Sequence, residues 1–329
     1  MKIRQLLISF LLAVHEYFYG NNALYCYKKT NKIMWIISYV ISLICCKSLY
    51  LYLYIIKFLN IYPSTRNSVV NQDIVVSLTS FPKRIDDVWM VVDSMCRQTM
   101  QPSIICITLS VKEFPEKEKN LPSRLLQYKK YGLKILWIEN NLRPHNKYWA
   151  AMRKYSDKYI ITIDDDIYYR QDLVAHLWEL SQKFKDCVCT NNAASILNED
   201  LELLSYNYWQ SKNVISNYPS HNYIAKGYNG VIYPPSILKN KEAFNEELIA
   251  QTCLRADDLW LKANELINNV KVVKGDYYPT AIELSGSQKI ALRRTNTNHI
   301  NNENDKQWAH IDAELNITQL LQDLVRSEK

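Results

Sequence analysis

Three carboxylates stand in a row at Asp164, Asp165 and Asp166, directly after the β-branched and aromatic run Tyr159–Ile163. No basic residue lies between Lys158 and Arg170 to offset them. An extended chain sends successive side chains to opposite faces, so the three cannot converge from the strand itself. Beyond the strand end the chain turns, and two of them can meet on one cation. Hard divalent ions such as Mg2+ or Mn2+ take oxygen ligands and commonly share them with substrate phosphates. A departing diphosphate develops negative charge, which such an ion offsets. The competing reading is a solvated turn or a helix cap. The apolar strand before the aspartates and Tyr168 and Tyr169 after them weigh against it.

A second acidic pair, Asp257 and Asp258, sits in the first turn of the helical pattern Arg255–Ile267. Negative charge is favoured at a helix start, so capping alone explains one of the two. The other is free to take a proton from an attacking hydroxyl as general base, or only to orient it. Arg143 and Lys147 come just before the aspartate strand. They are either a helix-start cluster or cations for a diphosphate. His145 and His299 lack the paired spacing of metal ligands. The polar stretch Ala291–Trp308, with Arg293, His299 and Lys306, is either a loop that closes over a bound ligand or a solvated connector.

The elements that position these residues alternate. Strand-like runs at Asp73–Phe81, Ser103–Ser110, Leu133–Glu139 and Tyr159–Ile163 are separated by helical patterns at 84–98, Leu121–Gly132 and Asn146–Tyr155. That order predicts an α/β fold, with a mostly parallel, Rossmann-like sheet flanked by helices on both faces. Ligands bind such sheets at the carboxyl ends of the strands, where the aspartates stand. The second half is less regular. A helix is expected over Asp172–Phe184, a strand in 186–194, and a glycine turn with a short strand in "YNGVIYPPSIL". A late strand at 269–275 and a last helix over Lys306–Leu324 complete the reading.

Composition narrows the function. The chain has 329 residues, enough for one large domain or two ordinary ones. Six glycines form neither GxGxxG nor GxxxxGK[ST], which argues against a dinucleotide fingerprint and a Walker-type phosphate loop. Residues 1–70 hold eight basic side chains against Glu16 alone, whereas 71–329 hold 32 of each sign. The net charge of +7 therefore belongs to the N-terminal segment, and a nucleic-acid footprint across the domain is not expected. The eight cysteines include no CxxC pair, so they read as reduced thiols on a protein facing the cytoplasm.

The N-terminal segment is basic, apolar and helical in pattern. Leu6–Val14 resembles a signal-peptide core, but no small-x-small cleavage pattern follows. Met34–Ile56 is long enough to cross about 30 Å of hydrocarbon as a helix. Lys47 near its middle costs roughly 2.5–3.5 kcal/mol in a spanning arrangement. One or two helices in the interface, with Tyr39, Tyr50, Tyr52 and Tyr54 at head-group depth, form the competing arrangement. A pair of helices buried against the domain is the third. Residues 1–70 are expected to be a membrane-associated segment and linker, and 71–329 the globular domain.

The motifs "SLTSFPKRI", "RPHNKYWAA", "ITIDDDI", "GYNGVIYPP" and "ADDLW" occur in an order similar to bacterial sugar transferases of cell-surface polysaccharide synthesis. Together with the DXD-like triplet they resemble a GT-A-fold glycosyltransferase over Asp73–Trp308, with a weaker likeness to the exostosin-type transferase domain. That resemblance implies a nucleotide-sugar donor, with uridine favoured, and a glycan or lipid-linked acceptor at the cytoplasmic face of a membrane. It further implies that Ser77, Thr79, Ser80 and Arg84 meet the nucleoside, and that Arg143 and Lys147 approach the diphosphate. Asp164 would touch the ribose or the metal, Asp165 would join the nucleotide-sugar contacts, and Asp166 would bind Mn2+ or Mg2+ directly. Asn229 and Gly230 would line the sugar pocket, and Asp257 or Asp258 would face the acceptor hydroxyl. Two rival readings remain: a nucleotidyltransferase on a similar sheet, and a membrane scaffold without catalysis. The first would want a glycine- and lysine-rich loop after the first strand, and "SLTSFPKRI" supplies no glycine.

Overall fold

The alternating runs do pair as a sheet. The computed structural model describes residues 2–20, 32–63, 69–209, 213–279, 281–284 and 302–328. Two helices come first, α1 (Lys2–His15) and α2 (Lys32–Phe58). Then follow β1 (Val69–Thr79), α3 (Trp89–Cys96), β2 (Met100–Ser110), α4 (Ser123–Gln127), β3 (Leu133–Ile138), α5 (Asn146–Lys154) and β4 (Tyr159–Thr162). The second half adds β5 (Ile167–Tyr168), α6 (Leu173–Lys183), β6 (Cys187–Thr190), β7 (Ala193–Ser195), β8 (Tyr223–Ala225) and β9 (Val231–Tyr233). It closes with α7 (Glu246–Thr252), α8 (Asp257–Ile267), β10 (Lys271–Lys274), β11 (Ile282–Glu283), α9 (Glu303–Leu315) and α10 (Ile317–Arg326).

Seven strands form one sheet in the order β10-β6-β9-β4-β1-β2-β3. All its pairings are parallel except those of β9, which runs antiparallel to β4 and β6. Val231 opens β9 opposite Thr162 and Thr190, the last residues of those two strands. The turn at 227–230 therefore lies at the same edge as the ends of the parallel strands. Two smaller antiparallel pairs, β5–β11 and β7–β8, stand outside the main sheet.

Alternation along β1 divides the core. Ile74, Val76 and Leu78 join a cluster with Trp89 and Val92 of α3, Leu173 and Leu177 of α6, and Ile8, Leu49 and Leu53 of the N-terminal helices. Val75 joins the opposite cluster with Tyr148 of α5, Trp260 of α8, Ile311 of α9 and Leu321 of α10. Helices cover both faces, as a parallel sheet of apolar strands requires. Leu49, Leu53 and Ile56 are at most 2% exposed. Each contributes about 1.5–3 kcal/mol to holding α2 against the domain.

Several boundaries differ from the sequence pattern for local reasons. Strand β1 starts four residues before Asp73, inside the stretch read as linker. The helix expected over 84–98 shrinks to α3, because turns occupy the residues after Pro82. Leu121–Gly132 becomes α4 and a tight 3-10 turn, ended by Gly132 in the left-handed region at φ 96°. The strand expected in 186–194 breaks at Asn191 and Asn192 into β6 and β7. The last helix is two helices, parted by Asn316 at φ 50°, a conformation asparagine tolerates.

Candidate active site

The edge at which β1, β4 and β6 end gathers five carboxylates around two cations. The β1–β4 register sets Ser77 beside Thr162, and the Ile163 amide donates to the Ser77 carbonyl at 3.0 Å. The chain then leaves the sheet, so the three aspartates take three different directions. Tyr169 fixes the turn by accepting from the Asp164 amide at 2.8 Å.

Asp164 turns toward Lys147, whose Nζ lies 3.1 Å from Asp164 Oδ1 and 2.8 Å from Asp257 Oδ2. Lys147 is held from behind, because the Ser77 hydroxyl donates to its carbonyl. Asp165 is buried, with one oxygen 2.6 Å from the Ser80 hydroxyl and the other 2.5 Å from Arg84. The other terminal nitrogen of Arg84 lies 3.1 Å from Asp166 Oδ2. Arg84 thus clamps two of the three aspartates, and its guanidinium also rests over the Phe81 ring.

Burial and mutual repulsion tune these acids. Asp166 is pushed up to about 7, first by burial and then by Asp164, with Arg84 opposing. Burial also raises Asp258, reinforced by Asp257 and Asp164. Burial acts on Asp257 too, but Lys147 and His145 outweigh it and hold Asp257 below the ordinary carboxylate value. His145 is a core histidine whose ring meets the Cys253 carbonyl at 2.7 Å and the Tyr148 hydroxyl at 3.1 Å.

Gly227 sits where these groups face one another. A Cβ there would lie 3.2 Å from Lys147 Nζ, 3.5 Å from Asp164 Oδ1 and 3.7 Å from Asp258 Oδ1. Its missing side chain leaves the space that three charged groups share. The family resemblance singled out the other glycine of the turn, and the two differ. Gly230 adopts φ 82°, and a Cβ there would meet Leu177 and Leu173 of α6 at 3.0 and 3.5 Å. Gly230 serves the turn and its packing on α6.

The other expected residues are distributed unevenly. Thr79 donates to the Thr108 carbonyl across the β1–β2 ladder at 2.7 Å. Arg143 is exposed at φ 55°, and its amide donates to Asn141. Asn229 is buried, and its carbonyl accepts from Asn191 Nδ2 at 3.0 Å. The side-chain oxygens of both Asn191 and Asn229 are buried without a hydrogen-bond partner. Asn191 and Gly227 were missed by sequence reasoning. Their signals were an amide pair interrupting a strand run and the first glycine of "GYNG". Lys306 lies in α9, paired with Glu303 at 2.9 Å, while Arg293 and His299 fall outside the described residues.

The five carboxylates outnumber Lys147 and Arg84, and a divalent cation would offset the surplus of negative charge. Asp165 has both oxygens occupied, whereas Asp164 and Asp166 each pair through one oxygen. Among the described residues no three metal-binding side chains converge. Two surface hollows of about 530 and 480 Å³ lie elsewhere, along β3 and α5, and contain none of these acids.

Residues 113–246 match the profile of Glycosyl transferase family 2. That span contains Lys147, Asp164–Asp166, Gly227 and Asn229 and stops before Asp257. Over that span the chain is similar to family 2 glycosyl transferases. Among solved structures, Staphylococcus aureus TarS 1-349 in complex with UDP is similar at 13% identity and a TM-score of 0.44, covering 73% of this chain and 70% of that one. Apo UDP-glucose pyrophosphorylase is similar at 7% identity and a TM-score of 0.37, covering 74% and 97%. 4-Diphosphocytidyl-2C-methyl-D-erythritol synthase is similar at 9% identity and 0.39, covering 68% and 98%. No curated protein sequence matches the chain.

Proposed function

We propose that this protein is a membrane-associated glycosyltransferase. It moves a sugar from a nucleotide-sugar, foremost a UDP-sugar, to a glycan or lipid-linked acceptor in cell-surface polysaccharide synthesis. The observation behind the reading is the Asp164–Lys147–Asp257 chain opposite Asp258, with Gly227 keeping the space between them open.

Each residue then has a task. Arg84 and Ser80 hold both oxygens of Asp165, while Asp164 and Asp166 each keep one oxygen outside their ion pairs for Mn2+ or Mg2+. Such an ion, when bound, offsets the charge of a diphosphate leaving group. Lys147 keeps Asp257 ionised in a buried position and presents its ammonium beside Asp164. Asp258 has its proton affinity raised, which suits a general base that accepts the proton of an acceptor hydroxyl. That role belongs to inversion; under retention the same carboxylate orients the acceptor. Asn191 and Asn229 offer unpartnered carbonyl oxygens to hydroxyl groups of a donor sugar.

The test is a screen of nucleotide-sugars for hydrolysis with Mn2+ or Mg2+, with and without chelator. Release of a nucleoside diphosphate and free sugar from one donor is expected. Formation of a sugar-nucleotide from a sugar phosphate and a nucleoside triphosphate would instead establish a nucleotidyltransferase. Absence of any metal-dependent turnover or nucleotide binding would leave only a scaffold.

A further inference from the structure

Helix α2 has two unlike faces. Ser38, Ser42, Cys45, Leu49, Leu53 and Ile56 recur at helical spacing and are buried against the protein. On the opposite side Ile33, Val40, Ile44, Leu51, Ile55 and Phe58 stay exposed, with Ile44 at 58%, Leu51 at 63% and Phe58 at 86%. Leu6, Leu7 and Phe10 of α1 are exposed as well. So large an apolar face marks an interaction site.

Its charges say what covers it. Lys47 is exposed within the apolar stripe, and Lys32 and Lys57 stand at its two ends. The one acidic residue of the N-terminal segment, Glu16, is buried. Lys57 is faced by Asp87 of the domain, and neither helix exposes a carboxylate of its own; an apolar face carrying these cations complements an anionic lipid surface. A spanning helix would place Lys47 at mid-bilayer, whereas a helix lying flat lets that side chain reach the head groups. The buried stripe agrees, since packing on the domain occupies one whole side of α2.

The platform adjoins the aspartates. Strand β5 directly follows Asp166, and Tyr168 shares a core with Leu49 and Ile8. The Leu284 amide, just after β11, donates to the Asp166 carbonyl at 2.7 Å. Gln171 meets Ser9 of α1 at 3.3 Å. A single two-stranded unit separates the acidic site from the apolar helices.

We infer that α1 and α2 form a platform lying flat on an anionic bilayer, and that the acceptor is an amphiphile whose tail rests in that bilayer while its hydroxyl-bearing head enters the aspartate site. The acceptor half of this inference rests on the glycosyltransferase reading; the platform half does not.

Flotation of the full-length protein with phosphatidylcholine vesicles, with and without phosphatidylglycerol, tests the platform. Binding is expected only with the anionic lipid. The double variant Ile44→Glu/Leu51→Glu, at two exposed positions, should weaken it at least about tenfold. Unchanged flotation of the variant, or none by the native protein, overturns the platform. Trypsin added outside sealed vesicles should cut after Lys32; protection of that bond would mean a span and overturn the flat arrangement. For the acceptor, labelled nucleotide-sugar is supplied with either the chloroform–methanol extract of host membranes or the water-soluble glycan fraction. Label in the organic phase is expected, and label confined to water-soluble glycan overturns the lipid acceptor. Absence of nucleoside diphosphate release in every arm would instead refute the glycosyltransferase reading, with the flotation and trypsin results standing apart from it.

Discussion

The ammonium of Lys147 lies 2.8 Å from Asp257 Oδ2, joining the first turn of α5 to the first turn of α8. Both side chains are nearly out of solvent, at 7% and 10% exposure. A buried charge that loses its partner is costly, by about 3–5 kcal/mol for a well-buried pair. Lys147→Ala should therefore lower stability by several kcal/mol in urea denaturation and abolish sugar transfer. Lys147→Arg should restore much of the stability but little of the activity, because the fork does not fit the space at Gly227.

The raised proton affinity of Asp258 sets a pH dependence of definite sign. As a base it must be ionised, so transfer should fall as pH drops through its raised value. The acid limb of kcat/KM should then lie above the ordinary carboxylate range of about 4. Stability moves the opposite way. The folded state holds the proton longer than the unfolded chain, so this residue's contribution declines as pH rises from the ordinary value through the raised one. Asp258→Asn should lower transfer by about 10²–10⁴-fold and lessen the stability change over that window, to which Asp166 also contributes.

The two glycines of the turn should separate function from fold. Gly227→Ala places a methyl group 3.2 Å from the flexible end of Lys147, which can yield. Its melting temperature should change little while donor turnover falls about 10–100-fold, since small displacements of positioned groups are felt strongly. Gly230→Ala forces a side chain into φ 82° and toward Leu177 at 3.0 Å. Stability should fall by about 1–3 kcal/mol, with kcat per folded molecule retained.

Asp166 lends itself to a metal test. Asp166→Ala should eliminate metal-dependent donor hydrolysis while circular dichroism stays native, because Arg84 keeps Asp165 as a partner. Chelation of the native protein should reproduce the loss, and added Mn2+ should reverse it. Full activity in the variant, or indifference to chelator, would refute the assignment of Asp166.

Features that depend on neighbours in sequence were legible; those that depend on distant partners were not. The run Tyr159–Ile163 followed by acids announced a strand end, and Asp257 and Asp258 announced a helix start. Lys147 stood out by its place before the aspartate strand. Gly227 did not, because its role comes from Lys147 and Asp258, which only folding brings beside it. Arg84 was read toward a nucleoside, yet its partners are Asp165 and Asp166. The break at Asn316 was hidden for another reason: apolar spacing continues on both sides, and only the left-handed backbone interrupts it. The division of α2 into a packed and an open face was equally invisible, since both faces are rich in apolar residues.

The reversed strand β9 also has an engineering consequence. Because β9 begins where its neighbours finish, anything spliced between β8 and β9 would emerge at the edge that carries the carboxylates. Grafts at that joint should retune which molecules are admitted, whereas grafts beyond Pro234 and Pro235 would hang from the far rim and leave the chemistry alone. One strand's direction thus separates a tunable doorway from an inert handle.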